Sequence, residues 1–246
     1  MIINYLLILG IGHLLGDFYF QNETIANYKD ETYKGVILHS LEYYVAFLVV
    51  MLPVFTFDMI LGATYAAAAH FVIDTIKYLI LGRGKIRKNK KVFVIDQCAH
   101  IVTIFTLAYI MDSFGFSIEP IGIVTNILNA YRCEGQILTR WILAIMLIHI
   151  PVNVLIQISI EDYKPKRDEG VIKADNKAGR RIGSVERLIM LVLLSRAQYA
   201  AIGFVLTAKS IARYDKIAKD EQFAEYYLLG TLISTLCVII CSILIL

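Results

Sequence analysis

Six apolar blocks, each near twenty residues and each almost free of charge, decide what this chain can fold into. A helix needs roughly twenty residues to cross a bilayer core of about 30 Å. Barrel strands would instead alternate every second residue over about ten. The composition agrees: 58% of the residues are hydrophobic and 18% charged, against nearly half and about a quarter in soluble domains. The expected fold class is therefore all-α, a polytopic transmembrane helix bundle forming one integral membrane domain over 1–246.

Full spans are expected near 3–20, 36–57, 58–81, 92–112, 137–158 and 226–246. Pro53 and Asp58 mark a tight turn between the second and third, so these form a helical hairpin. The first four spans make a core over 1–112. Residues 113–136, with Pro120 and several glycines, read as a loop carrying a surface helix. The first block has no basic stretch before it and no small-residue cleavage site, so it is expected to stay in the protein. Of the four cysteines, Cys98, Cys237 and Cys241 fall in apolar spans and Cys133 in a loop; none forms a CxxC, and they read as small packing residues.

Basic loops set the expected orientation. Residues 82–91, GRGKIRKNKK, hold six basic residues and no acid, and 159–184 hold seven basic and five acidic. The positive-inside rule puts both loops in the cytoplasm and the N-terminus outside. Residues 185–207 resist a simple span, because Ser195, Arg196 and Gln198 sit at the middle. A charge at mid-bilayer costs at least about 2.5–3.5 kcal/mol, and the next segment, AKSIARYDKIAK, is again basic. We read 185–207 as a re-entrant hairpin turning at 195–198, its two half-helices buried against the bundle. The net charge of +3 is too small for a nucleic-acid-binding body, and no nucleic acid is expected.

Ionisable residues inside spans are costly and mark functional sites. The first span carries His13 and Asp17, the second His39 and Glu42, the third His70, Asp74 and Lys77, the fourth Asp96 and His100. Three of these helices thus hold a His/Asp pair at i,i+4, which stacks both side chains on one face. Spans one and three end on the side where two and four begin. Counted from that side at 1.5 Å per residue, all seven His and Asp residues fall roughly 5–16 Å deep. They are expected to share one pocket, with the carboxylates of Asp17, Asp74 and Asp96 within about 12 Å of one another. As separate groups they would be helix–helix hydrogen bonds, worth only about 0.6–2 kcal/mol each, and His149 in span five is read that way.

Imidazole and carboxylate without thiolate suit a divalent metal, Zn first and Mn, Fe or Ni next. His13, Asp17, His39, His70, Asp74, Asp96 and His100 are the candidate ligands, enough for two ions about 3.5–4 Å apart. Such a site activates water and clamps phosphoryl oxygens, so Asp17, Asp74, Asp96 and Lys77 are the candidate catalytic groups. Lys77 would neutralise a phosphate or an excess carboxylate; otherwise it snorkels to the interface.

The stretches HLLGDFYFQ (13–21), HFVIDTIK (70–77), DQCAH (96–100), AGRRIGSVERLI (178–189) and AIGFVLTAKSIARY (201–214) together resemble a bacterial membrane family known as domain of unknown function 3307. That resemblance implies a bacterial cytoplasmic-membrane protein. The layout of His- and Asp-bearing helices is also similar to membrane-bound metal-dependent hydrolases. The expected function is a metal-dependent hydrolase at the cytoplasmic leaflet, cleaving a phosphoester of a lipid or prenyl-phosphate. Arg83, Lys85, Arg87, Lys88, Arg187 and Lys209 would gather the anionic headgroup. Two other readings use the same residues or loops: a proton- or metal-ion-coupled transporter or channel, and an assembly or signalling component whose protein partner docks on loop 159–184. The oligomeric state is left open.

Overall fold

A computed structural model describes residues 2–81, 90–165 and 176–246. Among them every regular element is helical. Six helices are long and apolar enough to cross a membrane: Ile2–Phe20, Tyr33–Val54, Phe57–Ile80, Lys90–Ser113, Gly135–Ser159 and Glu221–Ile245. Each lies where an apolar block places it. The chain divides into two compact units, Met1–Leu143 and Ala144–Leu246.

In the first unit, α1 (Ile2–Leu14) runs on as a π-helical turn over Leu15–Phe20. A short helix, α2 (Glu23–Glu31), leads to α3 (Tyr33–Met51), then α4 (Phe57–Leu81) and α5 (Lys90–Ser113). Helix α1 packs on α3 and α5, and α4 packs on the same two, so the four long helices close into a ring. Tyr5, Leu9, Phe47, Met51, Met59, Ala63, Leu107 and Met111 fill part of its interior. Leu41, Val45, Leu79, Val102 and Phe105 point outward, as hydrocarbon-facing positions should. Two glycines let α1 approach α3: a Cβ at Gly12 would lie 2.8 Å from the Phe47 ring, and one at Gly16 2.5 Å from the Tyr43 ring.

The corner between α2 and α3 is tightly specified. Asn22 caps α2 by accepting from Ile25 N, and Thr32 caps α3 by accepting from Gly35 N. A Cβ at Gly35 would fall 2.1 Å from the Tyr28 carbonyl oxygen, so only glycine allows this approach. The expected surface helix in 113–136 is α6 (Gly122–Ala130). Asp58 anchors the loop before it by accepting from Ser117 N at 2.8 Å.

In the second unit, Pro151 lies inside α7 (Gly135–Ser159), and three helices, α8 (Asn176–Ser195), α9 (Tyr199–Ile211) and α10 (Tyr214–Lys219), precede α11 (Glu221–Ile245). Helix α11 starts five residues before the expected 226, because Asp220 caps it by accepting from Phe223 N. Its early Glu221 and Glu225 suit a helix N-terminus although they lower the hydropathy there. The break between α8 and α9 falls at Arg196–Gln198, with Ala197 at φ +53°. This is the turn expected for 185–207. Burial differs from expectation: α8 buries Arg187, Met190 and Leu191, whereas α9 buries no residue and exposes Tyr199, Phe204 and Ile211. At about 1.5 Å per residue, α9 is roughly 20 Å long, short of a bilayer core.

Candidate metal centre

Asp17, in the π-turn, is the hub. Its Oδ1 lies 3.1 Å from His39 Nε2 and 2.9 Å from His70 Nε2, and its Oδ2 is 3.7 Å from His13 Nδ1. A π-turn widens the helix and re-aims its side chains, a feature common at functional sites. Here it carries the Asp17 carboxylate in between α3 and α4. Asp74, one turn beyond His70 on α4, lies with Oδ2 3.6 Å from His70 Nδ1 and 3.7 Å from His39 Nε2. His39 Nε2 therefore stands between the carboxylates of Asp17 and Asp74. Lys77 joins the third: its Nζ is 3.1 Å from Asp74 Oδ1 and 2.9 Å from Asp96 Oδ1. His100 completes the set, with Nε2 3.7 Å from Asp96 Oδ1 and its ring stacked on His70 at 4.6 Å.

All seven predicted His and Asp residues thus meet in one place, from four helices. Their side chains are enclosed, those of His39 and Asp74 completely. Lys77 neutralises excess carboxylates and does not snorkel; its side chain is 14% exposed. Two triads have ligand atoms within 4.8 Å of one another: Asp17, His39 and His70, and His70, Asp74 and His100. Ligands about 2.0–2.2 Å from a metal lie roughly 3.3–3.6 Å apart in a tetrahedral set. The Asp17–His39 and Asp17–His70 separations of 3.1 and 2.9 Å are hydrogen-bond distances, a few tenths of an ångström shorter. Several ring nitrogens are buried with no hydrogen-bond partner: Nδ1 of His39 and His70, and Nε2 of His100. Orphaned polar atoms of this kind are costly and demand an explanation.

Residues 5–126 match the family described as protein of unknown function (DUF3307). No curated protein and no solved structure matches the chain. The matched segment contains every residue of the cluster, so the family resemblance and the candidate metal centre coincide. The stretches 178–189 and 201–214 lie beyond it.

Two members of the cluster escape a search for intramembrane His and Asp. Lys29, on α2, is 7% exposed and places Nζ 2.8 Å from Asp74 Oδ2. Tyr43, on α3, stacks on His70 at a centroid distance of 3.7 Å and sets its hydroxyl 3.3 Å from His13 Nδ1. The stack fixes the plane of the His70 ring, which an imidazole ligand requires. A cavity of about 10 Å³ touches Tyr43, His70, His100 and Thr103, room for about one water.

The expected headgroup residues separate. Arg83, Lys85, Arg87 and Lys88 lie outside the described residues. Arg187 is not at a lipid surface: it is 1% exposed inside the second unit. Its guanidinium donates to the carbonyls of Ile148 and His149, to Asn153 Oδ1 and to the hydroxyls of Ser184 and Ser234. Enclosed among these neutral acceptors, the guanidinium is out of reach of a lipid phosphate. Lys209 is ion-paired with Glu186 and lies over the Tyr227 ring at 5.5 Å.

Proposed function

We propose that the cluster binds a divalent transition metal, Zn first and Mn, Fe or Ni next, and uses it to hydrolyse a phosphoester at the membrane. The observation that carries this reading is the pairing of converging donors with orphaned ring nitrogens. Asp17, His39 and His70 aim one carboxylate oxygen and two Nε2 atoms at one point. When Nε2 of His70 binds a metal, its proton resides on Nδ1, which faces Asp74 Oδ2 at 3.6 Å. The carboxylate would then face the ring proton, the usual arrangement around a metal-binding His. A metal held by Asp17, His39 and His70 would supply an activated water for phosphoester hydrolysis.

The substrate class we favour is a lipid or prenyl phosphoester at the cytoplasmic leaflet of a bacterial inner membrane, with Arg83, Lys85, Arg87, Lys88 and Lys209 drawing in its headgroup. The similarity in layout to membrane-bound metal-dependent hydrolases supports the reaction class. Elemental analysis of the purified protein tests the foundation. A transition metal close to stoichiometric is expected; less than about a tenth of an equivalent in folded protein refutes the reading.

Enclosure of the cluster favours a second reading, a transporter or channel that passes protons or a metal ion along the same residues. Proton or divalent-ion flux in proteoliposomes that vanishes in Asp74→Asn would replace hydrolysis by transport. A third role, as an assembly or signalling component docked through loop 159–184, rests on the mixed charge and length of that loop.

A further inference from the structure

The charges of the cluster decide how many ions it can hold. Lys29 and Lys77 place their ammonium groups 2.8 and 3.1 Å from the two oxygens of Asp74, and Lys77 is 2.9 Å from Asp96. Asp17 differs. Among the described residues its ion-pair partners are the imidazoles of His13, His39 and His70. We infer that the centre takes one metal ion at Asp17, His39 and His70, and that the ammonium of Lys29, tethered on α2, stands where a second ion would sit beside His70, Asp74 and His100. This rests on the metal reading above and adds the ion count and the role of Lys29.

Three features support it. The two triads share His70, so a second ion would need the nitrogen that already faces Asp74. An ion at Asp74 would also lie against two ammonium groups 2.8 and 3.1 Å from its own ligand oxygens, a repulsion little screened in a buried site. Charge balance points the same way. With neutral imidazoles, three carboxylates and two ammoniums leave one negative charge. One divalent ion turns that into one positive charge, which a single hydroxide or phosphoester oxyanion cancels. Two ions would leave three positive charges buried, which a low-dielectric site does not tolerate. Lys29 is then a built-in cation. It holds Asp74 as the orienting carboxylate of His70 and keeps it from becoming a ligand.

Metal counting on the full-length protein in detergent tests this. Wild type loaded with Mn²⁺ and freed of excess is expected to hold about one ion per chain and to give the spectrum of an isolated Mn²⁺ in electron paramagnetic resonance. Lys29→Met frees Asp74, and its count should rise to about two with exchange coupling between ions about 3.5–4 Å apart. Lys29→Arg keeps the charge and should stay at one. Two ions in the wild type overturn the inference, as does a Lys29→Met protein that still holds one. No ion in either protein removes the metal reading itself, a result distinct from a wrong count. Should Lys29→Met fail to fold, Lys29→Gln repeats the neutralisation, and the wild-type count and spectrum remain decisive.

Discussion

Adding one methyl group at Gly16 should weaken metal binding without touching a ligand. A Cβ there would lie 2.5 Å from Tyr43 Cδ2, 3.1 Å from Cγ and 3.2 Å from Cε2, while carbon atoms rest about 3.5–4 Å apart. The Tyr43 ring must move by roughly 1 Å to restore that spacing. It has little room, because the His70 imidazole stacks on it at 3.7 Å and the Phe47 ring stands 4.9 Å away. Overpacking of this kind costs about 1–3 kcal/mol, and the better helix propensity of Ala returns about 0.5–1 kcal/mol. A net loss of about 1–2 kcal/mol, passed to the orientation of His70, is roughly 5- to 30-fold in metal affinity. Competition with a fluorescent chelator reads the affinity, and thermal unfolding in detergent reads stability. Gly10→Ala is the control on the same helix, since its Cβ meets only the flexible Leu143 methyl groups at 3.3 and 3.7 Å. Equal affinity and equal unfolding for the two variants would refute the claim that Tyr43 sets the position of His70.

Two further outcomes follow from the same contacts. Gly35→Ala drives a Cβ into the Tyr28 carbonyl at 2.1 Å, so the α2–α3 corner must open and draw Lys29 off Asp74; protease sensitivity within α2 should rise, and an unchanged cleavage pattern would count against a tight corner. Asp74→Asn leaves Lys29 buried beside a neutral amide and should cost about 3–5 kcal/mol, whereas His149→Ala, at an exposed position, should stay within about 0.5 kcal/mol; matching losses in thermal unfolding would show that Asp74 carries no special load.

How far the sequence discloses this architecture depends on what each signal measures. Spans and cluster were legible because helices are rigid rulers: an i,i+4 pair fixes a face, and residue count from a span end fixes a depth. Those two coordinates suffice to bring Asp17, His39, His70, Asp74, Asp96 and His100 together. Lys29 has neither coordinate. It lies in ETIANYKDE, polar all round, which reads as a solvated connection until the Gly35–Tyr28 contact tucks α2 against α3. Tyr43 reads as one more aromatic in an apolar run, and nothing in LGDFYF announces a π-turn. Arg187 was misplaced for another reason. A basic residue near a loop suggests a lipid headgroup, but its acceptors are backbone carbonyls, which no sequence pattern displays. Asn153 on the neighbouring helix, which offers an amide oxygen, was the available hint.

The position of Lys29 also bears on the choice between hydrolysis and transport. Helix α2 joins the end of span one to the start of span two, so it lies at one end of the ring, and a single lysine side chain from it reaches Asp74. The cluster is therefore one side chain's length from that end. Towards the other end, where the 52–56 and 114–121 connections meet, Tyr5, Leu9, Phe47, Met51, Val54, Met59, Ala63, Leu107, Ala108 and Met111 form an apolar cluster. Among the described residues of the first unit, every fully buried charged residue or histidine belongs to the His/Asp cluster. Charge moving across a bilayer needs polar stations or water along its way, and among the described residues that end of the ring offers no buried charged station. A hydrolytic site requires access from one face only. Opening at α2, with Lys29 released from Asp74, would supply it, and the apolar half of the ring would stay closed throughout.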